Sequence, residues 1–464
     1  MSSTDNDTIC AIATPPGKSG IGIVRVSGSS CKEIANKILG FYPNPRHAYF
    51  SNFFGKNSII IDKGIALFFE APNSFTGEDI LELQGHGGSF ILNYLLKAVI
   101  DNGARIARPG EFSERSFMNS KMDLAQLEAV ADLIEASTEQ AAKSALRTLD
   151  GEFSRLIDEL VARILELRVY LEASIDFTEE EIDFLSQGRC IERLQSIIDL
   201  LESVLDQAKQ GAILREGVTV AIAGKPNAGK SSLLNVLSGK DSAIVTDIPG
   251  TTRDVLSEVI EIDGLPVHLV DTAGLHNSRN IVEKEGIKRA HKAINAADLI
   301  LLVIDAETFT VNSQTVSTIF NETALDETIL STDKLIVVFN KIDLLPQNSL
   351  PSSRICINDQ RIHSVGVSAK THYGIDQLRD QLKNRVGFSM TGEGHFIARE
   401  RHIIALKQSR EVLLSAQIQL QNSGAIELVA EDLRLAQNFL GEITGKVTSD
   451  DLLGEIFSSF CVGK

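Results

Sequence analysis

Residues 215–232 read "REGVTVAIAGKPNAGKSS", and this stretch determines the fold class predicted for the middle of the chain. Its apolar run "VTVAIA" predicts a buried strand, and the residues after the glycine-rich turn predict a helix. Gly224, Gly229, Lys230 and Ser231 have the GxxxxGK[ST] spacing between these two elements. In that setting, backbone N–H groups cradle phosphates, the lysine reaches the outer phosphates and the serine hydroxyl takes Mg²⁺. The sequence therefore predicts a P-loop nucleotide-binding domain.

Four further motifs indicate which nucleotide binds. "NKID" (340–343) follows the apolar run "KLIVVF", where its aspartate can accept both N–H groups of guanine's Watson–Crick edge, which adenine lacks. "SAK" (368–370) would support the base, "DTAG" (271–274) would sense the γ-phosphate, and "TDIPGTTRD" (246–254) would carry Thr252 to Mg²⁺. These motifs predict GTP rather than ATP. The predicted nucleotide contacts are Asn227, Ala228, Gly229, Lys230, Ser231, Ser232, Thr246, Asp247, Ile248, Pro249, Gly250, Thr251, Thr252, Asp271, Thr272, Ala273, Gly274, Asn340, Lys341, Asp343, Ser368, Ala369 and Lys370.

The residue after "DTAG" is Leu275, where many GTPases have a glutamine that orients the attacking water. A leucine cannot position water, so another group must do so. Glu283 and Glu285 follow in "NIVEKEG", and both could equally be solvated charges at the start of a helix. Spacing alone does not distinguish the two carboxylates.

The secondary structure that the sequence predicts changes three times along the chain. Residues 1–121 contain short β-rich runs and one helix, which predicts an α+β domain, and 122–214 contain long amphipathic helices. Strands and helices alternate over 215–387, which predicts a parallel α/β domain, and helices return over 388–464. We expect one helical domain interrupted by an inserted nucleotide-binding domain, because either helical segment alone would expose an apolar stripe. Two independent helical domains are the alternative.

Composition limits the classes of partner. The 464 residues carry a net charge of -17, which argues against broad binding of nucleic acid through its phosphates. Residues 1–121 contain 12 basic and 11 acidic side chains whereas 122–211 contain 8 and 20, so an anion site is expected in the N-terminal part. No apolar run approaches the length of a membrane span, so a cytoplasmic protein with no membrane contact is expected. Of the five scattered cysteines, four are expected to be small hydrophobic residues.

The whole chain resembles the bacterial tRNA-modification GTPase family MnmE (TrmE). The resemblance rests on "DTICAIATPPGKSGIGIVRVSG", "APNSFTGEDILELQGHGG", "RPGEFSERSFMNSKMDLAQLEAVADLI", the nucleotide motifs and the final "FCVGK". It implies a fold of class α/β plus α: an N-terminal α+β folate-binding and dimerisation domain, a helical domain, and an inserted Ras-like P-loop GTPase domain.

The resemblance also implies an activity and a cofactor site. With the flavoprotein MnmG, in a heterotetramer, members of the family attach an aminomethyl or carboxymethylaminomethyl group to C5 of the wobble uridine (U34) of tRNA. The carbon comes from a tetrahydrofolate derivative, 5-formyl- or 5,10-methylene-. By motif, Arg25, Glu82, Lys121 and Lys464 match the family's folate contacts. Taken by itself, Arg25 would be a surface residue at the edge of a strand.

For the hydrolysis step, the resemblance favours Glu283 over its neighbour as the carboxylate that positions the catalytic water. It further implies that K⁺ replaces an arginine finger as the GTPase domains of two subunits meet, with ligands at Asn227, Thr246, Ile248 and Thr251. Cys461 matches a cysteine implicated in the modification chemistry, although an inert thiol is an equal alternative. His276 departs from the family, whose members often carry arginine there.

Two other functions remain open on the sequence. A regulatory GTPase in ribosome assembly shares the "GxPNxGKS" loop and a hydrophobic residue after "DTAG", but lacks the folate-like N-terminal domain and the "FCVGK" segment. A structural scaffold with a vestigial nucleotide domain is disfavoured because every nucleotide motif is intact.

Overall fold

The computed structural model describes residues 7–176, 189–239, 257–271, 294, 296–307, 320, 325, 329–330, 332–345, 354–357, 360–389, 395–422, 426–447, 450–458, 460–461 and 463. By its internal contacts, the chain divides into two units. The first comprises Met1–Ala131, Phe153–Leu194 and Glu411–Lys464, and the second comprises Asp132–Glu152 and Gln195–Arg410.

A sheet of six strands forms the N-terminal part of the first unit, where the alternating apolar pattern predicts strands. In sheet order, the strands are β3 (Tyr49–Phe54), β4 (Ile60–Phe69), β5 (Ile80–Gly85), β2 (Gly22–Ser27), β1 (Ile9–Ile12) and β6 (Arg105–Ile106). All neighbouring strands are antiparallel except β1 and β6.

Two helices, α1 (Cys31–Leu39) and α2 (Ser89–Asp101), cover one face of this sheet. Because successive side chains of a strand point to opposite faces, Val24 and Val26 join the core beneath the helices while Arg25 faces the other way. The position expected for Arg25 from its local sequence is therefore wrong, since β2 lies inside the sheet between β5 and β1. We call the side that carries Arg25 the open face.

Helices follow, as the amphipathic pattern predicts. They are α3 (Glu111–Met118), α4 (Leu124–Glu135), α5 (Glu139–Leu149), α6 (Glu152–Asp176) and α7 (Cys190–Glu216). The apolar stripe of α6 is buried at Leu160, Ile164, Leu167 and Leu171, which recur at steps of three or four residues. Packing of this stripe stabilises α6, because helix propensity alone contributes little in water.

A second sheet of seven strands forms the nucleotide-binding domain. In sheet order, its strands are β12 (Arg354–Ile357), β13 (Gln360–Gly366), β11 (Leu335–Asn340), β10 (Leu299–Asp305), β7 (Val218–Ala223), β9 (Leu265–Asp271) and β8 (Ser257–Ile262). Two helices of this domain are α8 (Lys230–Leu237) and α9 (Ile375–Arg385). Both faces of the sheet are covered, since Ile336 and Val338 belong to one buried cluster and Val337 and Phe339 to another.

The five central strands of this sheet are parallel, whereas the edge strands β8 and β12 are antiparallel to their neighbours. The sequence predicts a parallel α/β domain and does not specify the direction of these two edge strands, which are antiparallel. The cause is the short connections there: β8 joins β9 through Asp263 and Gly264 alone, and parallel strands need a crossover of a dozen or more residues.

The last three helices are α10 (Glu400–Asn422), α11 (Ile426–Thr444) and α12 (Asp450–Ser458). In the first unit, α11 packs along α6: Arg168 donates to the Gln437 side chain at 2.6 Å, and Lys446 pairs with Asp158 at 2.5 Å. The predicted fold class, α/β plus α, is confirmed.

Two smaller expectations can be compared with the structure. Cys10, Cys31 and Cys190 are buried and behave as small apolar residues, but Cys356 is exposed on the edge strand β12, so that prediction is wrong for one cysteine. None of the described helices is both long and apolar enough to cross a bilayer.

Candidate functional site

The glycine-rich loop lies between β7 and α8, at the edge where the parallel strands end. Gly229, which precedes the helix, has a φ of 87°, and an added Cβ would collide with the Asn340 side chain. Only glycine therefore permits this close approach of the two loops. The Lys230 ammonium folds back and donates to the carbonyl oxygens of Gly224 at 2.8 Å and Lys225 at 2.9 Å.

Three further loop residues present polar groups to solvent. Ser231 and Ser232 are exposed in the first turn of α8, and Asn227 is exposed with a left-handed φ of 64°. Backbone N–H groups at a helix start together with hydroxyl and amide oxygens suit an anionic phosphate and a hard cation.

Asn340 connects this loop to the two base-recognition motifs. Its amide donates to the Ala228 carbonyl at 3.0 Å, and its oxygen accepts from the Ala369 N–H at 3.2 Å. Ser368, fully buried, donates its hydroxyl to Asp343 Oδ1 at 2.6 Å. Three separately predicted motifs are thus joined by direct hydrogen bonds.

Asp305 is a residue of this edge that the motifs did not identify. It ends β10, and its carboxylate pairs with the Lys341 ammonium at 2.7 Å. A polar residue at the carboxyl end of a buried parallel strand is the signal that could have found it, because ligands bind at that edge of open α/β sheets. Lys370 is exposed.

Asp271 ends β9 and lies opposite Ile222 of β7, so its backbone is at the same edge as the glycine-rich loop. The remaining residues predicted to contact nucleotide, metal or water lie outside the described residues: Thr246, Asp247, Ile248, Pro249, Gly250, Thr251, Thr252, Thr272, Ala273, Gly274 and Glu283, together with Glu285 and His276. Among the residues that the structure does describe, no group of three or more metal-ligating side chains is found.

A second group of predicted site residues lies on the open face of the N-terminal sheet. Arg25 and Glu82 are directly opposite each other on β2 and β5, and the guanidinium contacts the carboxylate through Nε at 3.0 Å and Nη2 at 2.9 Å. The rings of Phe75 and Phe112 lie 5.8 and 5.9 Å from the guanidinium carbon. Sequence reasoning did not identify these two aromatic residues, which nothing in their local pattern distinguishes from core residues.

Lys121 borders the loop that carries Phe75. Its ammonium donates to the Pro72 carbonyl at 2.9 Å, and Asn119 donates to the Thr76 carbonyl at 2.7 Å. Arg25 and Lys121 therefore contact the same loop, 70–79, although not each other. Lys464 lies outside the described residues, and Cys461 is exposed.

An ionic network contacts that loop at Glu78. Arg115 pairs with Glu78 at 3.1 Å and with Asp7 at 2.6 Å, and Arg105 pairs with Glu111 at 2.5 Å. Burial acts to raise the pKa of Glu111, but hydrogen bonds from Arg105 and the Arg108 backbone lower it, as do the charges of Arg105 and Arg115, to about 2. The network therefore holds a buried carboxylate in its charged form.

Two family models match adjacent parts of the chain. The model described as "GTP-binding protein TrmE N-terminus" matches residues 8–121. The model described as "MnmE helical domain" matches residues 124–461, which is most of the chain.

Curated relatives match over the full length. A protein of Saccharophagus degradans named tRNA modification GTPase MnmE is 55% identical over 464 residues and covers 100% of both chains. A protein of the same name from Coxiella burnetii is 55% identical over 459 residues, covering 99% of each. Among solved structures, the G domain of the T. maritima FeoB iron transporter is 29% identical, covering 36% of this chain and 98% of that one, with a TM-score of 0.25. That TM-score supports no inference about this chain.

Proposed function

The chain belongs to the MnmE family of tRNA modification GTPases, and from this membership we propose that it is the GTP-hydrolysing component of a complex that modifies the wobble uridine (U34) of tRNA. It is a GTP hydrolase whose partner is tRNA. The proposed product carries an aminomethyl or carboxymethylaminomethyl group at C5, built with a folate carbon. The observation that carries this proposal is the 55% identity over the whole chain, which includes the N-terminal part that ribosome-assembly GTPases lack.

We assign the nucleotide to the edge that carries the glycine-rich loop. The N–H groups of the loop and Lys230 would bind the phosphates, and Asp343 would accept from guanine while Ser368 holds that carboxylate in place. Ser231 and Thr252 would hold Mg²⁺, which neutralises developing phosphate charge. Ser231 is exposed in the first turn of α8, next to the glycine-rich loop, which fits this role.

For hydrolysis we propose that Glu283 orients water and that Asn227, Thr246, Ile248 and Thr251 bind K⁺. The exposed, left-handed Asn227 supports the ion site, since an amide oxygen suits a hard cation. Glu283→Ala should leave GTP affinity nearly unchanged and lower the hydrolysis rate, because the role exists only in the transition state. Glu285→Ala is the control, and equal losses in both variants would exclude Glu283 as the distinct catalytic carboxylate.

We propose that a tetrahydrofolate derivative binds on the open face through Arg25, Glu82, Lys121 and Lys464. The cationic side chains there border one loop and can pair with the glutamate tail of the cofactor. The carboxylate beside them can accept hydrogen bonds from the N–H groups of its pterin ring. Calorimetric titration of the full chain with 5-formyltetrahydrofolate should show binding that Lys121→Ala weakens. The control Lys97→Ala, an exposed lysine of α2, should not weaken it, and absence of binding to the unaltered chain would exclude the assignment.

We further propose a homodimer that uses the open face. Phe50 and Ile65 are opposite one another on β3 and β4 there, and they are 70% and 39% exposed. Light scattering should show that Phe50→Lys weakens the dimer, whereas Phe90→Lys, at an aromatic residue of α2 that is 78% exposed, does not. Equal effects would exclude this face.

The proposal includes a heterotetramer with the MnmG flavoprotein, a cytoplasmic location, and domains at 1–121, 122–214 with 388–464, and 215–387. Its decisive test is nucleoside analysis of tRNA from a bacterial strain that lacks its own family member. The chain should restore the U34 modification, Lys230→Ala should not, and the exposed Lys407→Ala should. Unmodified U34 in the presence of the folded wild-type chain would overturn the proposal.

A further inference from the structure

The last described residues of the chain return to the N-terminal sheet. Within the first unit, Phe457 of α12 packs on α3 and α4, in a cluster with Leu124 and Leu127. Phe460 is buried in the same cluster, with its ring edge-on to that of Phe457 at 5.9 Å. This anchor precedes Cys461 directly, so the chain after it starts from a defined point. We call its described residues, Cys461 and Gly463, the tail segment.

Two hydrogen bonds join the tail segment to the N-terminal domain. The backbone N–H of Gly110, the N-cap residue before α3, donates to the Cys461 carbonyl at 3.4 Å. The Arg25 guanidinium donates through Nη1 to the Gly463 carbonyl at 3.4 Å. The tail segment is therefore bound to the N-terminal domain through the carbonyl oxygens of Cys461 and Gly463.

Gly463 approaches β1 so closely that no other residue fits. Its φ is 97°, in the left-handed region, and an added Cβ would lie 2.7 Å from the Ile12 carbonyl oxygen and 3.2 Å from Ala13 Cα. Both are backbone atoms, one in the last residue of β1 and one in the residue after it, and they cannot rotate away as a side chain could. A substitution here must move the tail segment.

Arg25 makes its contacts simultaneously through three nitrogens. Nε and Nη2 contact Glu82 while Nη1 contacts Gly463, and the rings of Phe75 and Phe112 lie 5.8 and 5.9 Å from the guanidinium carbon. A lysine in this position could pair with the carboxylate, but a single ammonium on a flexible stem lacks the rigid fork needed to span both partners.

We propose that Arg25 and Gly463 form a latch that positions the tail segment, and with it Cys461, beside the open face. Both are positioning residues: the glycine permits the close approach and the arginine holds it. The inference deepens the proposed folate site and rests on it for its functional meaning. The latch itself is a property of the protein without ligand, so it can be tested separately.

The test uses a nitroxide label on Cys461 as a reporter of motion in the full chain. Because Cys10, Cys31 and Cys190 are buried, Cys356→Ser leaves Cys461 as the accessible thiol. Electron paramagnetic resonance measures nanosecond mobility of the label. Without ligand, the latched segment should give an immobile spectral component.

Arg25→Gln and Gly463→Ala should each lose that immobile component, and Arg25→Lys should lose it as well. Two matched controls should retain it: Gly454→Ala, where an added Cβ meets nothing within 4 Å, and Arg108→Gln, at an exposed arginine paired with Glu114. Thermal unfolding of every variant verifies the fold. If Arg25→Gln fails to fold, the result for Gly463→Ala tests the latch.

An immobile component that survives in Gly463→Ala would overturn the latch. Retention in Arg25→Lys alone would show that charge, rather than the guanidinium fork, holds the segment, which also contradicts the proposal. Folate titration of the same variants distinguishes the latch from the folate site. If the wild-type chain binds no folate, the folate site is wrong, but the spectra recorded without ligand still test the latch.

Discussion

Asn340 shows how one side chain can organise a binding site. It is almost fully buried, and it holds the glycine-rich loop through Ala228 and the "SAK" loop through Ala369. A buried amide left without partners would cost about 1 to 3 kcal/mol per group, so these loops are held together strongly. Asp343, three residues later, is exposed.

Asp343→Asn should change nucleotide specificity from GTP to XTP. In the proposed assignment the carboxylate accepts from two guanine N–H groups, whereas an amide can donate to the C2 carbonyl of xanthine and accept from its N1–H. We expect GTP affinity to fall by roughly 10- to 100-fold, the value of a lost charge-assisted hydrogen bond, and XTP affinity to rise. Fluorescent-nucleotide competition measures both. Asp376→Asn, at a carboxylate 96% exposed on α9, should change neither, and unaltered GTP affinity in Asp343→Asn would refute the assignment.

At the scale of elements, one hydroxyl joins α5 to the β8–β9 turn in the second unit. Thr138 caps α5 by accepting from the Ala141 N–H at 3.1 Å, and it donates to the Gly264 carbonyl at 3.2 Å. The turn is also held by Lys383, which pairs with Asp263 at 2.7 Å. A helix start and the hairpin that leads to "DTAG" therefore share a buried contact.

Thr138→Ala should loosen both elements together. Loss of an N-cap costs about 1 kcal/mol, and the Gly264 carbonyl loses a donor as well. Native-state hydrogen exchange should show faster exchange in the first turn of α5 and at the β8–β9 turn. Thr138→Ser keeps the hydroxyl and should behave as wild type. Faster exchange in α5 alone would mean that the bond to Gly264 does not couple the two elements.

The network around α3 predicts a pH dependence of stability. Glu111 has a folded-state pKa of about 2, below its value of 4.5 in an unfolded chain. A lowered pKa means that the native state favours the charged form, so this stabilisation is present above pH 4.5 and is lost as the pH falls toward 2. Glu111→Gln should therefore be less stable than wild type at pH 7, and the difference should shrink on acidification. Urea unfolding from pH 7 to pH 3 measures it, and a constant difference would contradict the assigned pKa.

At the scale of the whole molecule, hydrolysis should depend on the monovalent cation. Leu275 cannot orient water or stabilise charge, and the exposed Asn227 is the residue proposed to offer an oxygen to K⁺. We expect GTP hydrolysis by the full chain to be faster in K⁺ than in Na⁺ at matched ionic strength by roughly tenfold or more, since a fixed charge stabilises the transition state. Asn227→Ala should remove most of the difference. Equal rates in the two salts would place the charge stabiliser elsewhere.

Local sequence sufficed for the nucleotide-binding domain and for the helices. The glycine-rich loop adopts its conformation because its own glycines permit positive φ angles. The buried residues of α6 recur every three or four positions because they lie on one face of a single helix. These features depend on residues close in the chain, which a sequence displays directly. The antiparallel edge strands were missed because pairing direction depends on connection length rather than on the apolar pattern of the strand.

Tertiary structure decided what distant residues do together. Arg25 has the local pattern of a surface residue, yet strand order places it inside a sheet, opposite Glu82 and against Gly463, which is 438 positions away in the chain. The same holds for Asp305 beside Lys341 and for Thr138 beside Gly264. A sequence shows which residues can make a contact, but only the packing of elements determines which of them meet, because burial and strand order join segments with no shared local signal.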